Sequence, residues 1–227
     1  MIDRLGAMIT RARDILRTEG PVQLFTRGFD YVRRRLFTYG KYYLYEHSLG
    51  ERNEADFLPK TSDFTFEVVR SNADADELAA AVGCDFRRRF IGARKGLDKG
   101  AIAFCIFSGG EIAHIGSVAL TEEAKRTFDY LPYEVDFTNK VACTGGTETC
   151  PAHRGKGFMV YGYFKRFQFL AEQGMVASRN AVAVDNIASQ KGHAKFNPRI
   201  YARARYLKLF GREFWKETPL QQTGNHD

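Results

Sequence analysis

The sequence predicts an α+β fold with a mostly antiparallel sheet, and two features of the chain carry this prediction. Consecutive strands are predicted at 64–70, 101–108 and 111–121, and the last two are joined by a glycine pair that is typical of a tight hairpin. Farther along, an apolar strand predicted at 176–185 follows a helix at 158–173, which indicates a strand–helix–strand crossover. We therefore expect one mixed sheet with helices on both faces.

The remaining elements of the main domain follow from shorter patterns. Asn72 is expected to cap a helix over 74–82, whose acidic first turn suits the helix dipole. The polar stretch 50–63 is typical of a linker. Other segments are assigned by the same criteria: helical at about 84–97 and 186–196, helix or loop at 122–132, extended at 133–149, and one or two closing strands at 199–211.

The first sixty residues are predicted to form a helical extension outside the sheet. Apolar residues recur at helical spacing over 3–18, and the second helical stretch, 22–47, is rich in Arg and aromatic residues. Such a segment most often covers a domain face, with membrane-surface contact and nucleic-acid binding as alternatives. The predicted division is a helical, basic and aromatic extension over 1–60, a main domain over 61–217, and a flexible tail over 218–227.

Composition places the chain among ordinary globular proteins. It has 227 residues, of which 44% are hydrophobic and 27% charged, which excludes a disordered or fibrous chain. The longest apolar runs are far shorter than the ~20 residues of a membrane span. Charges interrupt the N-terminus in every turn, so no signal peptide is predicted. With four cysteines and no such signal, we expect reduced thiols and a cytoplasmic protein.

Charge is distributed unevenly along the chain. The formal charge is +4 over 1–50, −5 over 51–150 and +8 over 151–227. A basic last third beside an acidic middle suggests a polyanionic ligand and a cationic one. An unevenly charged, solvated surface is the alternative reading.

The stretch from Glu148 to Met159 holds the most informative motif. A predicted strand ends at Pro151, a loop with two glycines follows, and an apolar helix begins. Such a loop lets successive backbone N–H groups converge at a helix N-terminus, which favours a phosphate or pyrophosphate. The motif lacks the ending of a Walker A loop and the third glycine of a dinucleotide fingerprint.

These residues resemble the acyl-CoA motif of the GCN5-related N-acetyltransferase (GNAT) superfamily, Arg/Gln-x-x-Gly-x-Gly/Ala. Arg154 and Gly157 match it, whereas Met159 stands where the family has Gly or Ala. A second family segment begins at Asn186 and Ser189, with His193 at the usual Tyr position. The resemblance covers about residues 64–212.

The resemblance implies a V-shaped sheet, splayed between the fourth and fifth strands of the family, and acetyl-CoA as co-substrate. The pantetheine arm would pair with main chain at about Cys143 to Cys150, and Asn186 and Ser189 would contact the pantetheine or adenosine. The pyrophosphate would lie on the amides of Arg154, Gly155, Lys156, Gly157, Phe158 and Met159.

The implied reaction is direct attack of a neutral amine on the thioester. Glu148 is the first candidate for general base and His193 for the acid that protonates the thiolate, with Tyr201 and Tyr206 as substitutes. The alternative for Glu148 is an ion pair with a loop cation, and for His193 a packed histidine. Metal binding is not predicted, because Cys143, Cys150 and His153 do not have the spacing of a zinc site.

The predicted acceptor is a small-molecule primary amine. Amino sugars, polyamine-like metabolites, and protein N-termini or lysines all remain open, and a homodimer is compatible with the sequence. The alternatives are a GNAT-fold module that binds acyl-CoA without catalysis, a nucleic-acid-binding protein acting through 1–50, and an acyltransferase with a longer acyl or aminoacyl donor, for which Gly145 and Gly146 would leave room.

Overall fold

The computed structural model describes residues 16, 20–22, 25–26, 37–88, 90 and 92–220. The chain forms two compact units, one of residues 42–204 and 217–227 and the other of residues 1–41 and 205–216. In the second unit, Tyr206 packs edge to face against Trp215 and Lys208 pairs with Glu213. Of the helix predicted over 3–18, only residue 16 lies within the described part of the chain.

Within the described residues, eight strands form one mixed, mostly antiparallel sheet, which confirms the predicted fold class. Their order in the sheet is β2-β3-β4-β5-β6-β1-β7-β8. The strands are β1 (Phe37–Ser48), β2 (Thr65–Val69), β3 (Ile102–Ser108), β4 (Glu111–Ala119), β5 (Val141–Thr149), β6 (Ala177–Ala183), β7 (Arg199–Leu209) and β8 (Arg212–Pro219).

Five α-helices are described from end to end, and residues 16, 20–22 and 25–26 are helical as well. The five are α1 (Asn72–Val82), α2 (Ala93–Asp98), α3 (Glu122–Phe128), α4 (Phe158–Glu172) and α5 (Ile187–Ala194). The cap of α1 is Ser71 and not Asn72, because the Ser71 side chain accepts from the amide of Asp74 while the Asp74 carboxylate accepts from that of Ser71. This reciprocal pair is a capping box. No described helix combines the length and apolar composition needed to cross a membrane.

Helices cover both faces of the sheet, as predicted. On one face, Phe104 and Ile106 of β3 belong to the core that α4 completes. On the other face, Cys105 and Phe107 of the same strand belong to the core with α1 and α2. This alternation follows from the period of two in a strand, and the apolar sequence of β3 from Ile102 to Phe107 reflects burial on both faces. The hairpin between β3 and β4 turns at Gly109-Gly110, where both glycines have positive φ.

The sheet opens between β5 and β6. These parallel strands pair only from Val141↔Ala177 to Cys143↔Arg179, although β5 continues to Thr149 and β6 to Ala183. The remainder of β5 pairs with β4 alone, and that of β6 with β1. The strand β1 precedes the first strand predicted from the sequence, which is β2. When β2 is counted as the first strand of the family, β5 and β6 are its fourth and fifth strands, and the expected splay between them is present.

The predicted helix over 22–47 is wrong for residues 37–47. This segment belongs to β1, which lies between β6 and β7 and pairs antiparallel with β6 from Tyr42 to Ser48. Four tyrosines and a glycine within twelve residues favour a strand over a helix. Leu44 and His47 have no exposed surface, so this part of the segment offers them neither to a membrane nor to a nucleic acid.

Candidate functional site

The candidate site is a slot that starts where β5 leaves β6, after Cys143. Beyond that residue, the register of β5 against β4 shifts between Ile115↔Glu148 and Ser117↔Gly145, so β5 carries an extra residue there. A bulge of this kind bends its strand and increases its twist. Gly146, at φ 54°, supplies the backbone conformation that this bend requires. The bulge therefore turns β5 away from β6 and keeps the slot open.

The slot leads to a loop whose amides are free. After β5, a short 3₁₀ turn at Pro151–His153 is followed by Gly155 and Gly157, both with positive φ, and then by α4. Within the described residues, no backbone or side-chain acceptor takes the N–H groups of residues 155 to 160, and α4 has no side-chain N-cap. Unpaired amides at the start of a long helix attract anions.

Two cations flank these amides. Arg154 is exposed and its Nε lies 3.4 Å from the carbonyl of Thr149, while Lys156 Nζ lies 3.3 Å from Nδ1 of His153. The loop is braced from behind, since the amide of Lys60 donates to the carbonyl of Lys156 at 2.9 Å. A Cβ built on Gly155 would meet no atom within 4 Å, so the cradle is open on that side. The residues present therefore fit a pyrophosphate.

Met159 packs where the family has a small residue. Its terminal methyl would lie 2.6 Å from a Cβ built on Gly192 of α5, so this glycine makes room for the methionine. On the same helix, Asn186 is the N-cap and its Oδ1 accepts from the amide of Ser189 at 3.0 Å. Asn186 is exposed and Ser189 is half-buried. This capping hydrogen bond explains why Asn186 and Ser189 are three residues apart. Contact of the two residues with a ligand stays a prediction.

His193 lies in a buried chain of hydrogen bonds. Its Nδ1 is 3.1 Å from Nε2 of His47, and its Nε2 is 3.2 Å from Nδ2 of Asn180. Burial is the main cause that lowers the pKa of His193 to about 2 and that of His47 to about 3, with nearby positive charge adding to it. Both imidazoles are thus neutral at physiological pH, and both nitrogens of His193 are already engaged. This geometry speaks against His193 as proton donor to a thiolate.

A second buried polar group lies between α4 and the sheet, and the sequence analysis missed it. Arg166 has no exposed surface; its Nε donates to the carbonyl of Gly162 at 2.9 Å and its Nη1 to Oγ1 of Thr147 at 3.1 Å. Its guanidinium carbon lies 3.8 Å from the ring centre of Tyr163. Nη2 has no partner, and no carboxylate within the described residues pairs with this cation. Burial lowers the pKa of Arg166.

The signal that could have revealed Arg166 is its position on the apolar face of α4. Gly162, Arg166 and Leu170 follow one another at four-residue spacing and are all buried. A charged residue in such a stripe is rarely buried without a reason. Periodicity alone assigned the segment to the core.

The two proposed catalytic residues do not come together. Glu148 is exposed and pairs with Ile115, whose side chain lies in the core against α1 and α2. Directly paired residues share a face of the sheet, so Glu148 points to that face. His193 lies against Tyr163 of α4, on the opposite face, with ring centres 4.4 Å apart. Glu148 as general base stays a prediction.

The cysteines at the ends of the proposed pantetheine edge are engaged in the fold. Cys143 is paired with both Ala119 of β4 and Arg179 of β6, so the free edge of β5 begins at the next residue. The amide of Cys150 donates to the carbonyl of Ala113, and its own carbonyl accepts from His153. A ligand would have to displace these bonds, which restricts the expected edge to the residues between the two cysteines.

The substitute acids are both occupied elsewhere. Tyr201 lies 4.6 Å from the guanidinium carbon of Arg179, and burial raises its pKa. Tyr206 has only 1% of its surface exposed and packs against Trp215. Among the described residues, no three His, Cys, Asp or Glu side chains cluster as metal ligands.

The parallel strands β5 and β6 separate after three paired residues, and the slot between them opens onto unpaired amides at the start of α4. Together with the sheet order and the helices on both faces, it is the arrangement of the GCN5-related N-acetyltransferases. The chain has the GNAT fold.

Comparison with known proteins supports this fold through structure alone. No family model matches the sequence, and no curated protein matches it. Among solved structures, a GNAT-family acetyltransferase from Colwellia psychrerythraea is similar with a TM-score of 0.50 and 16% identity, over 76% of this chain and 57% of that one. A GCN5-related glucosamine N-acetyltransferase region of a fungal multi-domain β-N-acetylglucosaminidase has a TM-score of 0.52 and 12% identity, over 86% of this chain and 23% of that one. The chain thus spans less than two thirds of the length of either protein.

Proposed function

We propose that the protein is an acyl-CoA-dependent acyltransferase that transfers an acetyl group to a primary amine. The observation that carries this proposal is the slot between β5 and β6, which opens after Cys143↔Arg179 and ends at the free amides of residues 155 to 160. An unpaired strand edge offers backbone groups to an amide-containing arm, as in strand addition. The free amides at the start of α4 suit a pyrophosphate.

Charge supports the same ligand. The last third of the chain carries +8, and it holds the loop with Arg154 and Lys156. A phosphorylated polyanion such as CoA would be attracted to this region. When bound, the co-substrate supplies an activated acyl thioester, and the chain would bind it, orient it and exchange protons with the reacting groups.

The decisive experiment is calorimetric titration with acetyl-CoA and CoA. We compare the wild type with R154E/K156E, which reverses both loop charges, and with R212E/K216E as a control, which changes net charge equally at exposed positions of β8. We expect the wild type and the control to bind both ligands, and the loop variant to bind at least about tenfold more weakly. Absence of binding to the wild type would overturn the proposal.

The acceptor is tested with a panel of amines once CoA binding is established. The panel contains polyamines, peptides with free N-termini or lysines, and amino sugars, including glucosamine because one structural neighbour is described as acting on it. Release of free CoA is the readout. Tight binding of acetyl-CoA with no release for any amine would favour the binding module without catalysis.

Gly145 and Gly146 do not support a longer acyl donor. A Cβ built on Gly145 would lie 3.0 Å from the ring of Phe128, and one on Gly146 would lie 3.0 Å from Oγ of Ser117. The two glycines therefore accommodate the neighbouring side chains, and the space above them is filled. Acetyl is the acyl group that we propose.

A further inference from the structure

The net positive charge of the protein lies in the smaller of its two compact units, residues 1–41 and 205–216. This unit contains thirteen Lys and Arg residues and five Asp and Glu residues, which gives a formal charge of +8. The whole chain has a formal charge of +7, so the remaining residues sum to −1. An anionic partner is therefore attracted to the smaller unit.

The smaller unit also displays most of the large apolar side chains that the structure leaves exposed. Among the described residues, twelve large hydrophobic side chains are exposed, and eight of them belong to this unit, which contributes only 23 of the 188 described residues. Such a concentration marks an interaction surface. Five of the eight lie at the start of β1 or in the β7–β8 hairpin: Phe37, Tyr39, Leu209, Phe210 and Phe214.

The start of β1 and the turn of the β7–β8 hairpin lie at the same end of the sheet. The strands β1 and β7 are neighbours in the sheet. Arg199 pairs with Glu46, whereas Arg203, farther along β7, donates to Oη of Tyr43, which comes earlier in β1. The two strands therefore run antiparallel, and the beginning of β1 lies level with the end of β7.

The turn of the hairpin holds a phenylalanine where other residues are favoured. Lys208 pairs with Glu213, and the two residues of the turn, Phe210 and Gly211, have φ of 47° and 83°. Asn-Gly is the preferred sequence for a two-residue turn with both φ positive, and a bulky side chain there is strained. Phe210 is also 76% exposed, so packing does not explain it. Strain of this kind at an exposed position points to function.

One face of the hairpin is cationic and apolar. The two-residue turn and the Lys208–Glu213 pair set the register, and on the opposite face this register places Arg205 directly across from Lys216. Like charges in such a pair repel each other. Within the described residues, no carboxylate pairs with a cation of this face. Its exposed residues are Arg205, Leu209, Arg212, Phe214 and Lys216.

An anionic membrane surface suits both components of this face. Lipid phosphates attract the cations, and the hydrocarbon beneath them accepts apolar side chains. A nucleic acid would also attract the cations and could stack on aromatic rings, but it has no use for the exposed aliphatic side chains of Leu209 and Val22. A second copy, related by a two-fold axis, would set the same cations against each other.

We propose that the smaller unit docks on an anionic lipid bilayer, with the turn at Phe210 inserted among the headgroups and the cations of the hairpin against the lipid phosphates. This docking goes beyond the acyltransferase function and does not depend on it. Removal of the Phe210 ring from water offsets the free energy that the strained turn costs. Lipid phosphates between Arg205 and Lys216 relieve their repulsion.

Binding of the full-length protein to lipid vesicles tests the proposal. Sedimentation compares vesicles of phosphatidylcholine alone with vesicles that also contain phosphatidylglycerol, at low and at high salt. We expect the wild type to bind the anionic vesicles at least about tenfold more tightly than the neutral ones, and high salt to weaken this binding.

The substitution F210N separates insertion of the turn from its folding. Asparagine is favoured at this position, so the hairpin of F210N is expected to form at least as well as that of the wild type. Because the apolar ring is gone, we expect vesicle binding to be weaker by at least about tenfold. V176N is the matched control, since it removes an apolar side chain that is 59% exposed in the larger unit, and it should bind vesicles like the wild type.

The variant R212E/K216E tests the cations, with R154E/K156E as its control because it changes the net charge equally in the larger unit. We expect R212E/K216E to bind anionic vesicles at least about tenfold more weakly and to keep its affinity for CoA. R154E/K156E should show the opposite pattern. An equal loss of vesicle binding in both variants would overturn the docking surface, because overall charge alone would then explain the binding.

The other results that overturn the proposal are distinct. A wild type without preference for anionic vesicles excludes the membrane, and a loss in R212E/K216E but not in F210N excludes insertion of the turn. Binding to an RNA oligonucleotide without binding to vesicles would identify a nucleic-acid partner. A dimer in sedimentation equilibrium that F210N dissociates would identify a second copy. The CoA titration is independent of all these measurements, so either proposal can fail while the other stands.

Discussion

At the scale of single residues, the most unusual group is the buried guanidinium of Arg166. Its hydrogen bonds go to Gly162, Thr147 and, at 3.4 Å, Gly145, all of them neutral. Neutral acceptors do not repay the removal of a full positive charge from water. Arg166 is therefore expected to reduce the stability of the fold, which is common where a side chain is retained for function.

Replacing Arg166 with methionine tests this balance. Methionine keeps much of the volume and removes the buried charge, so we expect the free energy of unfolding of R166M to be unchanged or higher by about 1–3 kcal/mol. K165M is the control, since Lys165 is the adjacent and partly exposed cation of the same helix. Urea unfolding measures both. A loss of more than about 1 kcal/mol in R166M would mean that the guanidinium stabilises the fold.

The residues of the loop were foreseeable from the sequence, and those beneath the slot were not. Glycines and cations between a strand and a helix, as from Arg154 to Gly157, are a local pattern. Thr147 of β5 is hydrogen-bonded to Arg166 and Tyr163 of α4, and these contacts depend on how the helix packs against the sheet. His193 was singled out from a local sequence pattern, but its neighbour His47 lies 146 residues earlier, so its burial could not be predicted from the residues around it.

At the scale of elements, α4 and β4 approach closely at two glycines. A Cβ built on Gly116 of β4 would lie 2.5 Å from the guanidinium carbon of Arg166, and one on Gly162 of α4 would lie 2.7 Å from Nε2 of His114. His114 cannot withdraw easily, because its ring is fully buried and its Nδ1 is 2.8 Å from Oγ1 of Thr149. The two glycines thus set the distance between the helix that begins at the anion cradle and the sheet that forms the slot.

The substitution G162A is the test at this scale. In an exposed helix, glycine to alanine would stabilise by about 1 kcal/mol. Here the added methyl meets a rigid, buried ring, so we expect a net loss of about 1–3 kcal/mol in the free energy of unfolding. G50A is the control, because a Cβ at Gly50 meets nothing within 4 Å and its φ is ordinary. Chemical denaturation of both variants decides; a stabilised G162A would show that helix and sheet can separate freely.

The strand β1 shows why an element can be misassigned when its burial is asymmetric. Its exposure changes along its length, with Leu44, Tyr45 and His47 buried and the residues near Phe37 partly or fully exposed. The apolar residues of such a sequence follow neither the two-residue period of a strand nor the 3.6-residue period of a helix. The arginines before it favoured an amphipathic helix. Only pairing with β6 defines the segment as a strand.

At the scale of the whole molecule, the antiparallel half of the sheet and the crossover followed from local signals. Hairpin glycines, alternating apolar residues and a capped helix each specify structure within about ten residues. The position of β1 between β6 and β7 did not follow, because it requires a long-range pairing. The same pairing brings His47 beside His193, so the part of the fold that sequence could not foresee also determines the interior of the candidate site.

Three buried histidines give the whole molecule a defined response to acid. His47 and His193 have pKa values lowered to about 3 and about 2, and burial holds the pKa of His114 well below its ordinary value. In the unfolded chain each takes up a proton near pH 6.5, whereas in the folded chain each stays neutral. The unfolded state therefore binds more protons below pH 6.5, and the stability that is fully present above this pH is lost as the pH falls.

From pH 7.5 to 5.5, each histidine should lower the free energy of unfolding by about 1.4 kcal/mol, or about 4 kcal/mol for the three. The described carboxylates with lowered pKa, such as Asp85 and Glu46, titrate at lower pH and do not enter this window. Burial raises the pKa of Asp129, so this carboxyl acts in the opposite direction and offsets part of the loss as the pH falls. Urea unfolding at the two pH values measures the loss. H114Q, which cannot take up a proton, should lose about one third less than the wild type between the two pH values. Equal stability of the wild type at both pH values would mean that the histidines are protonated in the folded protein. The description of His47 and His193 as a neutral, hydrogen-bonded pair beside Tyr163 would then be wrong.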